Sequence, residues 1–325
     1  MTPASEHVGT ALNRAAKVID GAESIALACH VTPDGDALGS MLALHHVLLA
    51  AGRTSVASFP EPFVVGPHYR DIPGLDLLTP PERFPARPEV MVTFDCGALS
   101  RLGSLRAAAE VAGELVVVDH HISNERYGTI NVVDPDAAAS GVVVRRLIER
   151  LGLPLDQRSA CCLYIALVCD TGRFQYETTT PAVFDLAAEL LGFDIPVAKI
   201  SRALFEEHRF AYLQLLAEAI AAAELVREQS FVWTAVTQDM LRRHDVTVEE
   251  VEGLIDIVRR TAEADVACVL KEEADGSIKV SLRSVGAADV QRVAAAHGGG
   301  GHRFAAGFTS GVGIAETVDR IRAAL

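Results

Sequence analysis

The sequence predicts an α/β protein: a mostly parallel sheet with helices on both faces, followed by a smaller α+β domain. Three observations predict this. Short β-rich runs recur between helical stretches, and one of them, Val116-Val117-Val118, is apolar enough to be buried on both faces of a sheet. Beyond about residue 193 the runs change to the alternation of half-buried strands.

In the first part the strand runs are 24–30, 54–59, 90–95, 115–121 and 129–134. Two connections, 40–51 and 141–151, are rich in Leu, Val or Ala and are closed by Gly52 and Gly152, which marks them as helices. Crossovers between parallel strands should be right-handed. Residues 158–169 have the spacing of a buried helix, and Asp170-Thr171-Gly172 stops it, so Asp170 is expected at a helix end. The stretch 187–223 reads as interrupted helix and connects the halves. The expected division is 1–192, a helical connector over 193–226, and 227–325. In the last part 231–237, 265–271 and 278–283 read as strands and 248–262 and 288–297 as helices. Gly298-Gly299-Gly300-Gly301 reads as a loop.

With 325 residues, half of them hydrophobic, the chain can bury two cores. Its 43 acidic and 29 basic residues give a formal charge of -14, which repels a long polyanion; small phosphorylated ligands are compatible with it. The six cysteines form no CxxC pair, and four lie inside apolar runs, as expected of reduced thiols. The first seven residues have neither a basic nor an apolar leader region, and no apolar run approaches the roughly 20 residues of a membrane span. A soluble, cytoplasmic protein is expected.

The chemistry is concentrated at the ends of elements. His30, Asp34 and Asp36 follow the first strand, Asp95 the third, Asp119-His120-His121 the fourth, and Asp170 ends a helix. Each has an ordinary reading alone: Asp34-Gly35-Asp36 as a turn, Asp95 as a helix cap, His30 as a hydrogen-bonded strand end. Together, at successive ends compatible with one sheet edge, they form a set of hard oxygens and imidazoles suited to Mn²⁺ or a similar first-row ion. Shared carboxylates allow two ions about 3.5 to 4 Å apart, an arrangement that suits in-line attack on a phosphate ester. His45 and His46, on the helix after the first motif, read as packing or surface residues, and Arg101 as a weaker phosphate candidate.

The segments His30-Val31-Thr32-Pro33-Asp34-Gly35-Asp36, Phe94-Asp95, Asp119-His120-His121 and Asp170-Thr171-Gly172 closely resemble the four motifs of the DHH phosphoesterases. Lys279-Val280-Ser281-Leu282-Arg283-Ser284 and Gly298-Gly299-Gly300-Gly301-His302, followed by Ala305-Ala306-Gly307-Phe308, resemble the DHHA1 domain. Combined over this length, they resemble the nanoRNase/pAp-phosphatase branch. The resemblance implies a DHH catalytic domain and a DHHA1 substrate-binding domain clasping substrate between them. It implies two Mn²⁺ ions, with Mg²⁺ or Co²⁺ as substitutes, one held by His30, Asp34 and Asp95 and the other by Asp36, Asp95, His120 and Asp170.

His121 would face the phosphate, and Asp119 would orient His120 from behind. Arg283, Ser284, Gly299, Gly300, Gly301 and His302 would hold the nucleotide or its far phosphate. Expected substrates are short oligoribonucleotides, linear or cyclic dinucleotides such as c-di-AMP and pApA, and 3′-phosphoadenosine 5′-phosphate (pAp), cleaved by a homodimer. Alternatives are a pyrophosphatase or exopolyphosphatase, which has no use for a nucleobase pocket, and a nucleotide sensor that does not cleave. Cys96 stands where the family commonly has Thr or Ser; as a ligand it would bias the site towards Zn²⁺.

Overall fold

The computed structural model describes residues 3–325, with side chains from residue 8 onward, so the reading of the first seven residues falls outside the described side chains. The chain divides into two compact units between Leu204 and Phe205.

The first unit holds α1 (Pro3–Gly21), β1 (Ser24–Cys29), α2 (Gly35–Ala50), β2 (Thr54–Ser58), β3 (Val90–Phe94), α3 (Arg106–Glu110), β4 (Glu114–Asp119), β5 (Ile130–Val133), α4 (Ser140–Leu151), α5 (Gln157–Asp170) and α6 (Pro181–Leu191), with α7 (Val197–Phe205) reaching the division. Its five strands pair in the order β2-β1-β3-β4-β5, every pair parallel. The β-branched runs predict such a sheet, and β3 is buried at every position. Alternation sends Ala26, Ala28, Met91 and Leu115 into a cluster with Leu102, Leu105, Ala108 and Ala109 on one face. Helices α2 and α4 pack on the strands, and α5 packs on both helices.

Strand order reverses between β1 and β3, since β2 lies on one side of β1 and β3 on the other. Such a reversal leaves a crevice at the carboxyl ends of the strands, where open α/β sheets place their ligands. The loops after β1, β3 and β4 all start at that edge.

Two local readings change. The helix expected from residue 40 begins at Gly35, because Asp34 caps it: the Asp34 Oδ1 accepts from the Ala37 N–H at 3.0 Å. Asp34-Gly35-Asp36 is therefore a cap and first turn. His45 and His46 are buried packing residues, meeting Ser55 Oγ at 3.0 Å and the Pro73 carbonyl at 3.1 Å.

The second unit holds α8 (Phe210–Ala221), β6 (Glu224–Val226), β7 (Phe231–Val236), α9 (Gln238–His244), α10 (Leu254–Val258), β8 (Val266–Glu272), β9 (Ile278–Ser284), α11 (Val290–Ala296), β10 (Gly300–His302), β11 (Ala305–Ser310) and α12 (Ile314–Ala324). Its sheet runs β10-β11-β9-β8-β7-β6, antiparallel except for β7 with β8. Alternating residues of β8 feed two cores, Ala267 and Val269 with α8 to α10 on one face, and Val266, Cys268 and Leu270 with α11 and α12 on the other. The single helix expected over 248–262 is instead a 3₁₀ turn at Glu249–Val251 followed by the short α10, with Gly253 at the break.

The glycine cluster is also not simply a loop. Gly300 to His302 form β10, hairpinned onto β11 with His302 opposite Ala305. A Cβ on Gly299 would lie 2.2 Å from the Gly307 carbonyl oxygen, so that close backbone approach excludes any side chain there. All six cysteines are free thiols, five of them buried. No helix among the described residues is long and apolar enough to cross a membrane.

Candidate metal centre

The six residues expected as metal ligands come together at the carboxyl edge of the parallel sheet. His30 follows β1, Asp36 lies in the first turn of α2, Asp119 ends β4 and Asp170 ends α5. Asp95 turns out of β3 in a left-handed conformation (φ 53°), its N–H donating to the Val118 carbonyl at 3.0 Å. Asp tolerates that region better than bulkier residues do.

Two donor groups result, His30 with Asp34 and Asp95, and Asp36 with His120 and Asp170. Asp95 stands between them: its Oδ2 lies 3.5 Å from His30 Nε2 and its Oδ1 3.5 Å from His120 Nε2. His120 Nε2 is also 3.0 Å from Asp170 Oδ2 and 3.8 Å from Asp36 Oδ2. His30 Nε2 is 3.9 Å from Asp34 Oδ2.

The backs of the two imidazoles are held by the main chain. His30 Nδ1 is 2.8 Å from the Val31 carbonyl, and His120 Nδ1 is 3.1 Å from that of Ala137. A carbonyl only accepts, so the His120 Nδ1 carries the proton and its Nε2 lone pair faces the carboxylates, the tautomer a metal ligand requires. Arg101 Nη2, which only donates, also lies 3.0 Å from His30 Nδ1, so that nitrogen has one donor and one acceptor beside it.

Asp36 is fully buried and heavily hydrogen-bonded. Its Oδ1 accepts from Ser40 Oγ at 2.9 Å and from the Gly141 N–H at 2.9 Å, and its Oδ2 from the Ser140 N–H at 2.6 Å. The amino end of α4 thus points at a carboxylate, the favourable sign for a helix dipole. Gly141 is required there, since a Cβ would sit 2.7 Å from that of Ala166. Ser140 Oγ donates to Asp95 Oδ1 at 3.0 Å, linking the two groups.

The electrostatics show what the cluster lacks. Burial and the charge of Asp95 push the Asp36 carboxyl well up from its ordinary value. Burial would raise Asp95 too, yet His121, His30 and His120 outweigh it and hold that carboxyl low. Burial opposes a charge on His120, but the Asp170 hydrogen bond and the surrounding carboxylates raise its proton affinity well above normal. Buried carboxylates at this density demand positive charge, and hard oxygens with two imidazoles fit divalent first-row cations.

Asp119 differs from expectation. Its carboxylate does not orient the His120 ring, which Ala137 holds. Asp119 Oδ1 instead accepts from His121 Nδ1 at 2.7 Å and from the N–H groups of His120 and His121 at 2.7 and 3.1 Å. Its Oδ2 accepts from Asn124 Nδ2. It therefore fixes the loop and the ring of His121. Cys96 is no ligand: its Sγ donates to the Ala98 carbonyl at 3.3 Å, and burial pushes the thiol up to about 11. Ser140, Gly141, Ala137 and Asn124 were not foreseen. The only hint was a Ser-Gly pair opening a helix, and nothing in it pointed to Asp36.

In the second unit, Arg283 lies in β9 opposite Ala305 of β11, and Ala305 lies opposite His302 of β10. Residues directly paired across strands share a face, so Arg283 and His302 flank Ala305, about 10 Å apart over two strand spacings. Arg283 Nη1 donates to the Leu282 carbonyl at 3.1 Å, while its Nε is buried with no partner among the described residues. Ser284 is a correction. Alternation turns it to the other face of β9, buried on the α11 and α12 side, and Ser281 shares Arg283's face instead. A Cβ on Gly301 would lie 2.5 Å from the Ala305 carbonyl oxygen, so hairpin packing accounts for Gly301 as it does for Gly299. Around Gly300 nothing lies within 4 Å of an added Cβ, and packing asks nothing of it.

A doubly wound sheet with a carboxylate–imidazole centre at its switch point, joined to a second unit whose mixed sheet presents an arginine, defines a phosphoesterase. Residues 24–167 match the model of the DHH family N-terminal domain, and residues 229–325 that of the DHHA1 domain. The chain is 31% identical over 308 residues to the bifunctional oligoribonuclease and PAP phosphatase NrnA of Thermus thermophilus, covering 94% of this chain and 89% of the relative. It is 25% identical over 290 residues to the Bacillus subtilis protein of the same name, covering 88% of each. An exopolyphosphatase-related protein from Bacteroides fragilis superposes with a TM-score of 0.87 at 25% identity, over 97% of this chain and 95% of that one. The chain belongs to the DHH/DHHA1 phosphoesterase family, in its NrnA-type branch.

Proposed function

We propose that this phosphoesterase hydrolyses short oligoribonucleotides, linear and cyclic dinucleotides and pAp to mononucleotides, with two Mn²⁺ ions at the carboxyl edge of the parallel sheet. The observation that carries the reading is the pair of donor groups meeting at Asp95, His30 with Asp34 on one side and Asp36 with His120 and Asp170 on the other. When bound, such ions supply Lewis acidity towards the phosphate and the attacking water. The relatives' names support oligoribonuclease and PAP phosphatase activity.

The chain's own residues supply orientation and the remaining donors. Asp119 fixes Nδ1 of His121 and so orients the ring, whose Nε2 would hydrogen-bond a phosphate oxygen or hand a proton to the leaving oxygen. Four carboxylates leave two divalent ions without formal excess charge, so anion binding needs further cations. Arg283, with its unpartnered Nε, and His302 beside it in the same cross-strand row are assigned to the nucleotide or its far phosphate. Gly300 leaves its backbone open to the same ligand. A net charge of -14 favours short substrates over a long strand. The family resemblance supports a homodimer, which sedimentation equilibrium checks.

The test is a side-by-side assay with Mn²⁺ of pAp, diadenylate, a cyclic dinucleotide and a short RNA, with products separated and kcat/KM compared. Mononucleotide release from at least one is expected. Tight binding without turnover of any would overturn the reading.

A further inference from the structure

Two arginines with no ion-pair partner among the described carboxylates, Arg14 and Arg126, line one cavity. That cavity, of about 350 Å³, lies in the first unit and is lined by Thr10, Ala11, Arg14, Arg126, Thr129 and Asn131. Both arginines are exposed, and no described carboxylate pairs with either. Thr129 Oγ1 donates to Glu114 Oε2, so the hydroxyl is committed. Asn131 Nδ2 donates one hydrogen to the Gly128 carbonyl at 2.8 Å and keeps a second for the cavity. The donors are thus two guanidinium forks and an amide, a set matched to a tetrahedral oxyanion.

We propose that this cavity binds a phosphate group, either inorganic phosphate or the phosphomonoester end of a mononucleotide, and that the bound anion communicates with His121. The site is separate from the metal centre. Thr129 and Asn131 flank the start of β5, and Thr129 Oγ1 accepts from the N–H of Leu115 at the start of β4, the edge opposite the carboxyl ends.

A continuous hydrogen-bonded chain nevertheless joins the two. The Arg126 N–H donates to Asn124 Oδ1 at 2.6 Å, Asn124 Nδ2 donates to Asp119 Oδ2, and Asp119 Oδ1 accepts from His121 Nδ1. Arg126 is itself held in a left-handed conformation (φ 52°), which a non-glycine residue keeps only when its surroundings enforce it. An anion drawing in the Arg126 side chain acts on that backbone, and through Asn124 on the group that orients His121. The coupling, though not the binding, rests on the proposed role of His121. Both anions are products of the proposed hydrolyses, so the site would report product.

Isothermal titration of the metal-loaded full chain with inorganic phosphate, and separately with adenosine 5′-monophosphate, tests the site. Two binding events are expected for at least one anion, and Arg14→Ala should weaken one of them about tenfold. Turnover in anion-free buffer should not change. Loss confined to inorganic phosphate assigns the free ion, whereas loss for both assigns a phosphomonoester end. A single event in the wild type, or identical isotherms in Arg14→Ala and Arg14→Glu, overturns the site. For the coupling, product phosphate should depress kcat as well as raise KM in the wild type, and only raise KM in Arg14→Ala; the same pattern in both overturns it. The isotherms need no turnover, so a catalytic failure would count against the proposed function alone.

Discussion

The polar residues of the two units are organised in opposite ways. In the parallel sheet they sit beyond strand ends, four of the six (His30, Asp36, Asp95 and His120) buried, and crowd one another at 3.0 to 3.9 Å. In the mixed sheet Arg283 and His302 lie along a strand row, spaced by the pairing of β9, β11 and β10 and half-buried. Convergence from several loops concentrates charge on one point, as holding cations requires. Spacing along a sheet face distributes contacts over a ligand, as recognition requires. The contrast predicts that damage to the first region falls on kcat and metal content, and damage to the second on KM and substrate choice.

The largest effect should come from His120→Ala, which removes a donor common to Asp36, Asp95 and Asp170. Several kcal/mol of Lewis-acid stabilisation would go with it, a fall in kcat on the order of 10³-fold. Stopped assays on pAp and on a generic aryl phosphodiester should show equal losses. Asp119→Asn should lower kcat by about 10 to 100-fold while metal content by atomic spectroscopy stays unchanged, because it touches the loop and His121 but not the His120 ring. Metal loss in that variant would return Asp119 to the ligand set.

Arg283→Ala should raise KM about tenfold for nucleotides and spare the aryl ester. Equal damage to both substrates would erase the distinction between the regions. Ser284→Ala should change kcat/KM for any substrate by less than about twofold, because its side chain is on the far face of β9; Ser281, on the near face, is the position to vary for specificity.

A stability contrast sharpens the comparison further. Lys271 is only 1% exposed, and its Nζ lies 2.6 Å from Glu252 Oε2, while Lys279 Nζ lies 3.0 Å from Glu252 Oε1. Burial raises the Glu252 carboxyl, but the two lysines prevail and bring it down to about 2. Its folded value is thus below the ordinary carboxylate value of about 4.3, so its contribution is full above that pH and fades as pH falls towards 2. Glu252→Gln should lower the urea midpoint of unfolding at pH 7 and much less at pH 3. An equal drop at both values would show that packing, not charge, is what Glu252 contributes.

The legible part of the chain was the part written in local pattern. The β-branched runs foretold the parallel strands, and the acids and imidazoles at their ends foretold a metal-type centre. Tandem motifs over the two halves foretold the family. Where the reading failed, the deciding contact was distant in sequence. Ser140 and Gly141 meet Asp36 from more than 100 residues away, and the carbonyl of Ala137 has no side-chain signature at all. Ser284 was misread because adjacency in a motif looked like adjacency in space, although alternate strand residues point to opposite faces. The glycine run looked like a loop because glycine marks turns, yet two of its members are small because β11 runs beside them.

By itself, then, the sequence determined the fold class, the chemistry of the donor set and the family, since periodicity and residue type are properties of short segments. Tertiary structure alone decided the tautomer of His120, the partner of Asp119, the face of Ser284 and the hydrogen bonds that link Arg126 to His121. Each of these depends on which backbone carbonyl, amide or strand neighbour lies within about 3 Å, and chain packing sets that distance.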